Sequence, residues 1–417
     1  MQGKGHNVAS LILPMLMTVC TAAEVRAEED GQGWHISPLP IIGYSSDFGF
    51  QLGASADIFN PQHRIHLDAS YWFDGMSMVN ADYFSGDLIP GIHFSASFSW
   101  QKNPLSNFYG FGGDVVTYDS SIDRRNGIAY YSNSREMIRF VSSFRGRISG
   151  NLLWTGGLSV WHYNTGDTRY RNYDGSRSLY HFYRETGVIY DDEVKGTVME
   201  LSAGLEFDSR EGGIAPSRGI YAGLCFNAAP DLFGTGYPYV RMCARFRHYL
   251  TPGPDWLTFA YHLAYQGIIA GKAPFYMLPN ICSFNYGQTY MEGLGGQSTL
   301  RGVLSERLTG NGYAWGNAEI RIRLFKFDIG GLGCSVGINP FFDAGAIVQP
   351  YKISEISKAT GESEEELRKR SGRLHCSAGM GLKFGVGSDY MLSLEAGKAF
   401  NGNDGPLGIA LSINYIF

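Results

Sequence analysis

GYAWGNAEIRIRL, residues Gly312–Leu324, decides the fold. Its even positions are apolar or glycine (Ala314, Ala318, Ile320, Ile322, Leu324), while Asn317, Glu319, Arg321 and Arg323 occupy odd ones. A period of two sends successive side chains to opposite faces of a strand. The segment therefore predicts a strand with one apolar and one charged face. Upstream lies a gap of about forty residues without periodicity, too long for a plain connection and typical of functional loops. Near its middle stands GLGGQSTLRG (Gly293–Gly302), a single Arg with glycines around it. Downstream, PFFDAG (Pro340–Gly345) puts Asp343 on the face of Asn339 and Phe341, opposite Ile338, Phe342 and Ala344. We expect Arg301 to reach an acidic residue inside a barrel.

Counting alternation outward predicts strands at 37–45, 48–59, 64–73, 76–86, 90–101, 134–149, 151–164, 197–209, 218–229, 235–250, 255–269, 312–324, 334–346, 373–386, 389–400 and 407–417. Sixteen is an even number, as in bacterial membrane barrels. The long gaps 102–133, 165–196, 270–311 and 347–372 are separated by even numbers of strands, so all four open on one side. Five strands precede the first gap and three follow the last, which places both termini on the other side. Long external loops, short periplasmic turns and periplasmic termini are the pattern of an all-β, sixteen-stranded transmembrane antiparallel barrel. Alternation at Met199–Asp208 and Val240–Arg247 puts Glu200, Glu206, Arg241, Arg245 and Arg247 on one face, lining the lumen with both signs of charge. A soluble sandwich also alternates. The aromatic content of 14%, the N-terminal segment and the lack of a sheet-covering helix favour the membrane barrel.

Among the 417 residues the net charge is −5, and no Lys/Arg cluster offers a track for phosphates, which argues against nucleic acid as a partner. No apolar run beyond the N-terminus is long enough for a spanning helix. Residues 1–27 read as a signal peptide: Lys4 precedes the apolar Val8–Ala23, and Val25 with Ala27 suits cleavage after Ala27. Val19 is too large for a lipobox at Cys20. Residues 28–36 then form a short periplasmic segment and 37–417 the barrel, which leaves no room for a soluble periplasmic domain.

Five cysteines remain in the mature chain. Cys225 and Cys243 lie on successive predicted strands with the same facing, and two readings stand: a cross-strand disulfide, or small side chains filling the wall. No Cys/His spacing suggests zinc, and no metal or cofactor is expected. Lys352–Arg370 is the one helical-looking stretch, read as a solvated external loop. Asn164–Glu193, rich in Tyr, Arg and Asp, offers an unspecific cation site at Asp191, Asp192 and Glu193. Pro38 and Pro40 remove two backbone donors from the opening strand, which must pair with the last one to close the barrel. That seam is either short of hydrogen bonds and openable, or an ordinary strand start. The last strand puts Ile409, Leu411, Ile413, Tyr415 and Phe417 on one face. Enzymatic activity is not expected: HExxH and GxSxG are absent, His162 and His262 read as strand residues, and Gly330–Gly337 precedes no helix.

At these residues the chain resembles the BamA/TamA-like bacterial surface antigen superfamily of outer-membrane assembly and two-partner secretion barrels. LRG (Leu300–Gly302) is similar to the family's loop motif, folded back from outside into the lumen, with Val303 where the family carries an aromatic. FDAG (Phe342–Gly345) resembles the strand motif whose acidic residue holds the loop Arg. The resemblance thus assigns a lumen-loop lock to Arg301, Gly302, Asp343, Glu319 and Gly345. DSREGGIAPSRG, with Asp208, Arg210, Pro216 and Gly219, looks like the family's strand-turn-strand signature. PIIGYSSDFGFQLGA and NFYGFGGD resemble segments of smaller members, and the terminal Tyr415 and Phe417 resemble the assembly signal of such barrels. A member without polypeptide-transport-associated domains is implied, located in the bacterial outer membrane. Its implied task is assisting insertion or translocation of proteins or lipids there. Its implied partners are outer-membrane lipid, substrate outer-membrane proteins and periplasmic or lipoprotein components. A transport or secretion pore and a structural surface barrel are the alternatives.

Overall fold

The computed structural model describes residues 33–45, 49–123, 128–282, 291–387 and 390–417. The signal segment 1–27 and most of 28–36 lie outside them. Sixteen strands run in chain order around one antiparallel ring. They are β1 (His35–Ser45), β2 (Gly49–Phe59), β3 (His63–Trp72), β4 (Ser77–Ile89), β5 (Ile92–Asn107), β6 (Ser132–Ser149), β7 (Leu152–Gly166) and β8 (Lys195–Asp208). The second half comprises β9 (Gly219–Ala229), β10 (Tyr239–Leu250), β11 (Leu257–Gly271), β12 (Gly312–Ile329), β13 (Leu332–Gln349), β14 (His375–Val386), β15 (Tyr390–Ala399) and β16 (Gly408–Ile413). Each strand pairs with its sequence neighbour, and β1 meets β16 to close the ring.

The period of two is expressed as burial. On β8, Leu201 and Leu205 are 49% and 52% exposed on the outside, while Glu200 and Glu206 are 1% exposed inside. A ring with apolar side chains outward and charges inward, each strand paired with its neighbours along most of the wall, meets the condition for spanning a bilayer with strands. No helix among the described residues is long and apolar enough to cross a membrane.

Three boundaries differ from the alternation count for physical reasons. The β12–β13 hairpin runs on to a tight turn at Gly330 and Gly331, both at positive φ, the geometry two-residue hairpins favour. β5 continues to Asn107 across a register shift between Asn103 and Ser106, where Pro104 interrupts the ladder. β16 ends at Ile413, because Asn414 turns into the left-handed region at φ 67°. Tyr415, Ile416 and Phe417 therefore leave the strand.

The predicted helical stretch after β13 is two helices, α2 (Ile353–Thr360) and α3 (Glu364–Ser371), parted by Gly361 at φ 77°. The loop between β7 and β8 holds a further helix that periodicity did not announce, α1 (Leu179–Glu185), capped by Ser178. These loops pack together over one end of the ring. Phe108, Phe111, Tyr131, Tyr180, Tyr183 and Phe275 form a single buried aromatic cluster there, joined by Ile356 and Leu367 of the two later helices.

Candidate functional site in the lumen and at the seam

The described residues of the segment after β11, 272–282 and 291–311, do not stay outside. Its backbone carbonyls are taken up by donors on the wall: Arg241 donates to Met277 O (2.9 Å) and Asn280 O (3.1 Å), Arg245 to Cys282 O (2.8 Å), and Tyr313 Oη to Leu278 O (2.8 Å). An irregular backbone inside a barrel needs such partners, since no strand ladder satisfies it. The second half of the loop is shaped by tight turns, with Thr299 Oγ1 bonded to both N and O of Gly295 and a bridge between Leu294 and Leu308.

Arg301 stands at the tip. Its Nε and Nη2 bind Asp343 Oδ2 and Oδ1 at 2.9 and 2.8 Å, and its backbone N donates to Asp343 Oδ2 at 3.0 Å. Nη1 donates to Glu319 Oε1 (2.5 Å) and Glu395 Oε1 (3.1 Å). The guanidinium lies 3.6 Å from the centroid of Phe341, whose ring supplies an aromatic face at a site where the loop itself has Val303. Asp343, Glu319 and Glu395 come from β13, β12 and β15, so one side chain ties three strands. Gly345 leaves room for Leu300, since a Cβ there would lie 3.1 Å from the leucine Cδ1.

Gly302 serves a different need. At φ 88°, its ideal Cβ would fall 2.4 Å from the carbonyl carbon of Gly397 and from the N of Lys398. The loop backbone therefore rests directly on β15, and Gly302 O accepts from Ala399 N at 3.2 Å.

The site includes residues that motif reading missed. Lys383 Nζ binds Glu395 Oε1 at 2.8 Å, and Arg321 Nε binds Glu319 Oε2 at 2.9 Å. Three cations and three carboxylates thus form one buried, charge-balanced network. Arg321 also reaches the turn end of the barrel, donating to Pro216 O (3.3 Å) and Phe417 O (2.7 Å) and facing the Tyr415 ring at 3.8 Å. Neither Lys383 nor Glu395 stands in a motif; the signal for them is the parity of their strands taken with the ring order, which sets β14 beside β13 and β15 beside β14.

Arg321 explains where the tail goes. Tyr415 and Phe417 were expected on one face of the last strand with Ile409, Leu411 and Ile413, but the strand ends before them and Phe417 is buried in the lumen, its ring 5.4 Å from His262. A cation with a free donor draws the aromatic tail inward once Asn414 has broken the strand. In the neighbouring turn, Asp208 is bound by Arg210 Nε and Nη2, each at 2.9 Å, while Gly219 at φ 97° accommodates Ser209 O, 2.2 Å from its ideal Cβ.

A second anchor follows five residues after Arg301. Glu306, at φ 61°, makes a two-pronged pair with Arg135 of β6 at 3.0 Å for each prong, and Arg307 donates to the carbonyls of Gly113, Val116 and Asn403. Beside Arg307, Asp114, His375 and Asp404 form the one cluster among the described residues compact enough to suggest a metal. Arg307 and Arg373 stand 3.4 to 3.8 Å from its carboxylates and balance their charge, so it reads as an ion-pair cluster.

The seam is the thinnest part of the ring. Among the described residues β1 and β16 share one register pair, Ser45 with Ala410, whereas β15 and β16 are in register from Leu392–Ile413 to Gly397–Gly408. The facing of β1 follows from its neighbour. Phe73 N donates to Phe50 O, so the even-numbered backbone groups of β2 point at β3. Tyr44 opposes Phe50 in an unbroken register, which turns the even-numbered groups of β1 toward the seam. Pro38 and Pro40 belong to that set, so the two missing donors are missing from the closing edge.

A closed sixteen-stranded antiparallel barrel, with a long loop locked by Arg to carboxylates inside the lumen, defines a class of membrane barrel. The Omp85 superfamily domain matches residues 64–404, and the chain belongs to that superfamily. No curated protein matches the sequence. Among solved structures, BamA from Haemophilus ducreyi lacking POTRA domains 1–3 is similar with TM-score 0.57 at 15% identity, over 93% of this chain and 71% of that one. CdiB from Escherichia coli is similar with TM-score 0.57 at 13% identity, over 93% of this chain and 63% of that one. CdiB from Acinetobacter baumannii gives 0.50 at 10% identity, over 92% and 60%. At these identities the likeness is one of fold.

Proposed function

We propose that this barrel assists the insertion or translocation of proteins at the bacterial outer membrane, by parting β1 from β16 while the lumen loop keeps the rest of the ring in shape. The observation that carries the reading is the seam: one register pair among the described residues, with Pro38 and Pro40 withholding donors from the edge that would have to pair. Edge groups left unpaired are a template for an incoming strand, which is the chemistry an assembling outer-membrane protein offers. Family membership supports the same reading. Substrate outer-membrane proteins, lipid and periplasmic or lipoprotein components are the partners it calls for.

A passive pore has less support. The lumen loop, the tail at Phe417 and the aromatic cluster over the loop end all occupy the path a solute would take.

The test is a covalent seam. In a variant with the native cysteines replaced by serine, Gly43→Cys and Ser412→Cys face each other by continuation of the Ser45–Ala410 register. The reading expects oxidation to abolish the cellular function of a barrel that still folds, with reduction restoring it. A locked barrel that works as well as the reduced one overturns it.

A further inference from the structure

Three of the cysteines converge inside the barrel. Cys225 on β9 and Cys243 on β10 are direct register partners and both point into the lumen, where they form one buried cluster with Tyr221 and with Cys282 of the lumen loop. All three thiols are free. Cys282 and Cys243 share their surroundings closely. Asn227 Nδ2 donates to Cys282 Sγ at 3.4 Å and to Cys243 Sγ at 3.7 Å. Gln266 Oε1 accepts from Cys243 Sγ at 3.4 Å and from the backbone N of Cys282 at 2.7 Å. Cys225 Sγ reaches the Oδ1 of the same Asn227 at 3.9 Å.

We propose that Cys282 and Cys243 are a cross-linking site, a disulfide that fastens the lumen loop to the wall at β10, with Cys225 as the neighbouring thiol through which the bond can migrate. The proposal rests on the chain being exported, because disulfides form and persist in oxidising compartments. The reaction balances against an oxidising dithiol protein in its disulfide form. One thiolate of the pair attacks the oxidant's disulfide, forming a mixed disulfide and releasing one oxidant thiol. The second thiolate then displaces the other oxidant sulfur, the Cys243–Cys282 bond forms, and the oxidant leaves with both electrons as a dithiol. Two protons are lost from the pair. Attack by the Cys225 thiolate on the bond moves it to a new pair with no net oxidation.

The location gives the bond a consequence. Among the described residues of the loop, its second half is held by Arg301 and Glu306, and its first half by hydrogen bonds from Arg241, Arg245 and Gln266 to carbonyls. A disulfide at Cys282 makes that first attachment covalent.

The experiment uses the full barrel, folded in detergent micelles, reduced, then treated with diamide, unfolded and alkylated. We expect two of the five mature-chain thiols to lose alkylation and a linked peptide pair containing Cys243 and Cys282 to appear. Cys282→Ser should lose that pair while the barrel keeps its heat-dependent gel shift, and Cys225→Ser should keep it. Full alkylation of Cys282 after oxidation of the folded barrel overturns the proposal, and so does a wild-type product linked mainly between Cys225 and Cys243. The seam experiment above is performed without native cysteines, so either result stands apart from the other.

Discussion

Gly302 and Gly397 lie back to back, the first on the lumen loop and the second on β15, so close that neither position has room for a methyl group. An ideal Cβ on Gly302 would sit 2.4 Å from Gly397 C, and one on Gly397 would sit 2.9 Å from Arg301 O. This is where the loop is laid against the strand that neighbours β16.

Gly302→Ala should therefore unseat the loop. It combines a left-handed backbone, which costs an alanine about 1–2 kcal/mol, with an overlap against main chain that has no side chain to move. Gly213→Ala, at φ 60° with open space around it, carries the first cost alone. The temperature of the folded-to-unfolded gel shift should fall well below wild type for Gly302→Ala and little for Gly213→Ala. Equal shifts would remove the close approach from the account.

Asp343→Ala should be among the most damaging single substitutions in the lumen. It takes both prongs and the backbone acceptor from Arg301, leaving a buried cation short of its partner, a loss of roughly 3–5 kcal/mol for pairs of this kind. Because Glu319 and Glu395 share the same guanidinium, Asp343→Ala combined with Glu319→Gln should be non-additive, with a coupling of about 0.5–3 kcal/mol. A double-mutant cycle in urea that closes to zero would show that the carboxylates act separately.

Arg321→Ala should release the tail. Phe417 O loses its donor and the Tyr415 ring the nearer of its two cations, so backbone amides of Tyr415–Phe417 should exchange with solvent at least tenfold faster, while β12 amides around Arg321 keep their protection. Unchanged exchange in the tail would mean that stacking on His262 and Tyr249 holds it without Arg321.

Pro40→Val offers a seam test without crosslinks. The substitution returns one donor to the edge of β1 that faces β16, at a position whose side chain is outward, where valine suits a strand. Amide exchange in the even-numbered residues of β1 and in Tyr415, which continuation of the Ser45–Ala410 register sets opposite position 40, should slow if donor shortage limits the pairing. If it does not, strand divergence rather than missing N–H groups keeps the seam short.

Much of the fold was legible in the sequence, and for one reason: alternation is a local property. Each strand shows its own two faces, so Glu200, Arg241, Asn317 and Asp343 could be placed inside without knowing any neighbour. That a lone Arg between glycines in a long loop would seek an acidic residue followed from the sequence, while Asp343 as that residue came from the resemblance of LRG and FDAG to family motifs, and the two are paired in the structure. Glu395 and Lys383 were not singled out, since only the ring order of β12 to β15 brings them beside Arg301. The inward turn of Tyr415 and Phe417 was also hidden. Alternation in GIALSINYIF continues to the end, and nothing local says that Asn414 will leave the strand or that Arg321, over ninety residues earlier, will bind Tyr415 and Phe417 beyond it. α1 was missed because its aromatics face a cap assembled from four separate loops.

The Glu306–Arg135 pair has a mechanical meaning. β6 and the β13–β14 region stand nearly across the ring from one another, and the two turns between Arg301 and Glu306 carry a charged clamp at each end. It works as a tie rod across the bore. A ring of sixteen strands whose described residues pair once across the seam has little there to resist flattening or widening under the lateral pressure of the bilayer. With both clamps in place the loop joins β6 to β12, β13 and β15, so the wall opposite the seam is cross-braced by charge while the seam is not.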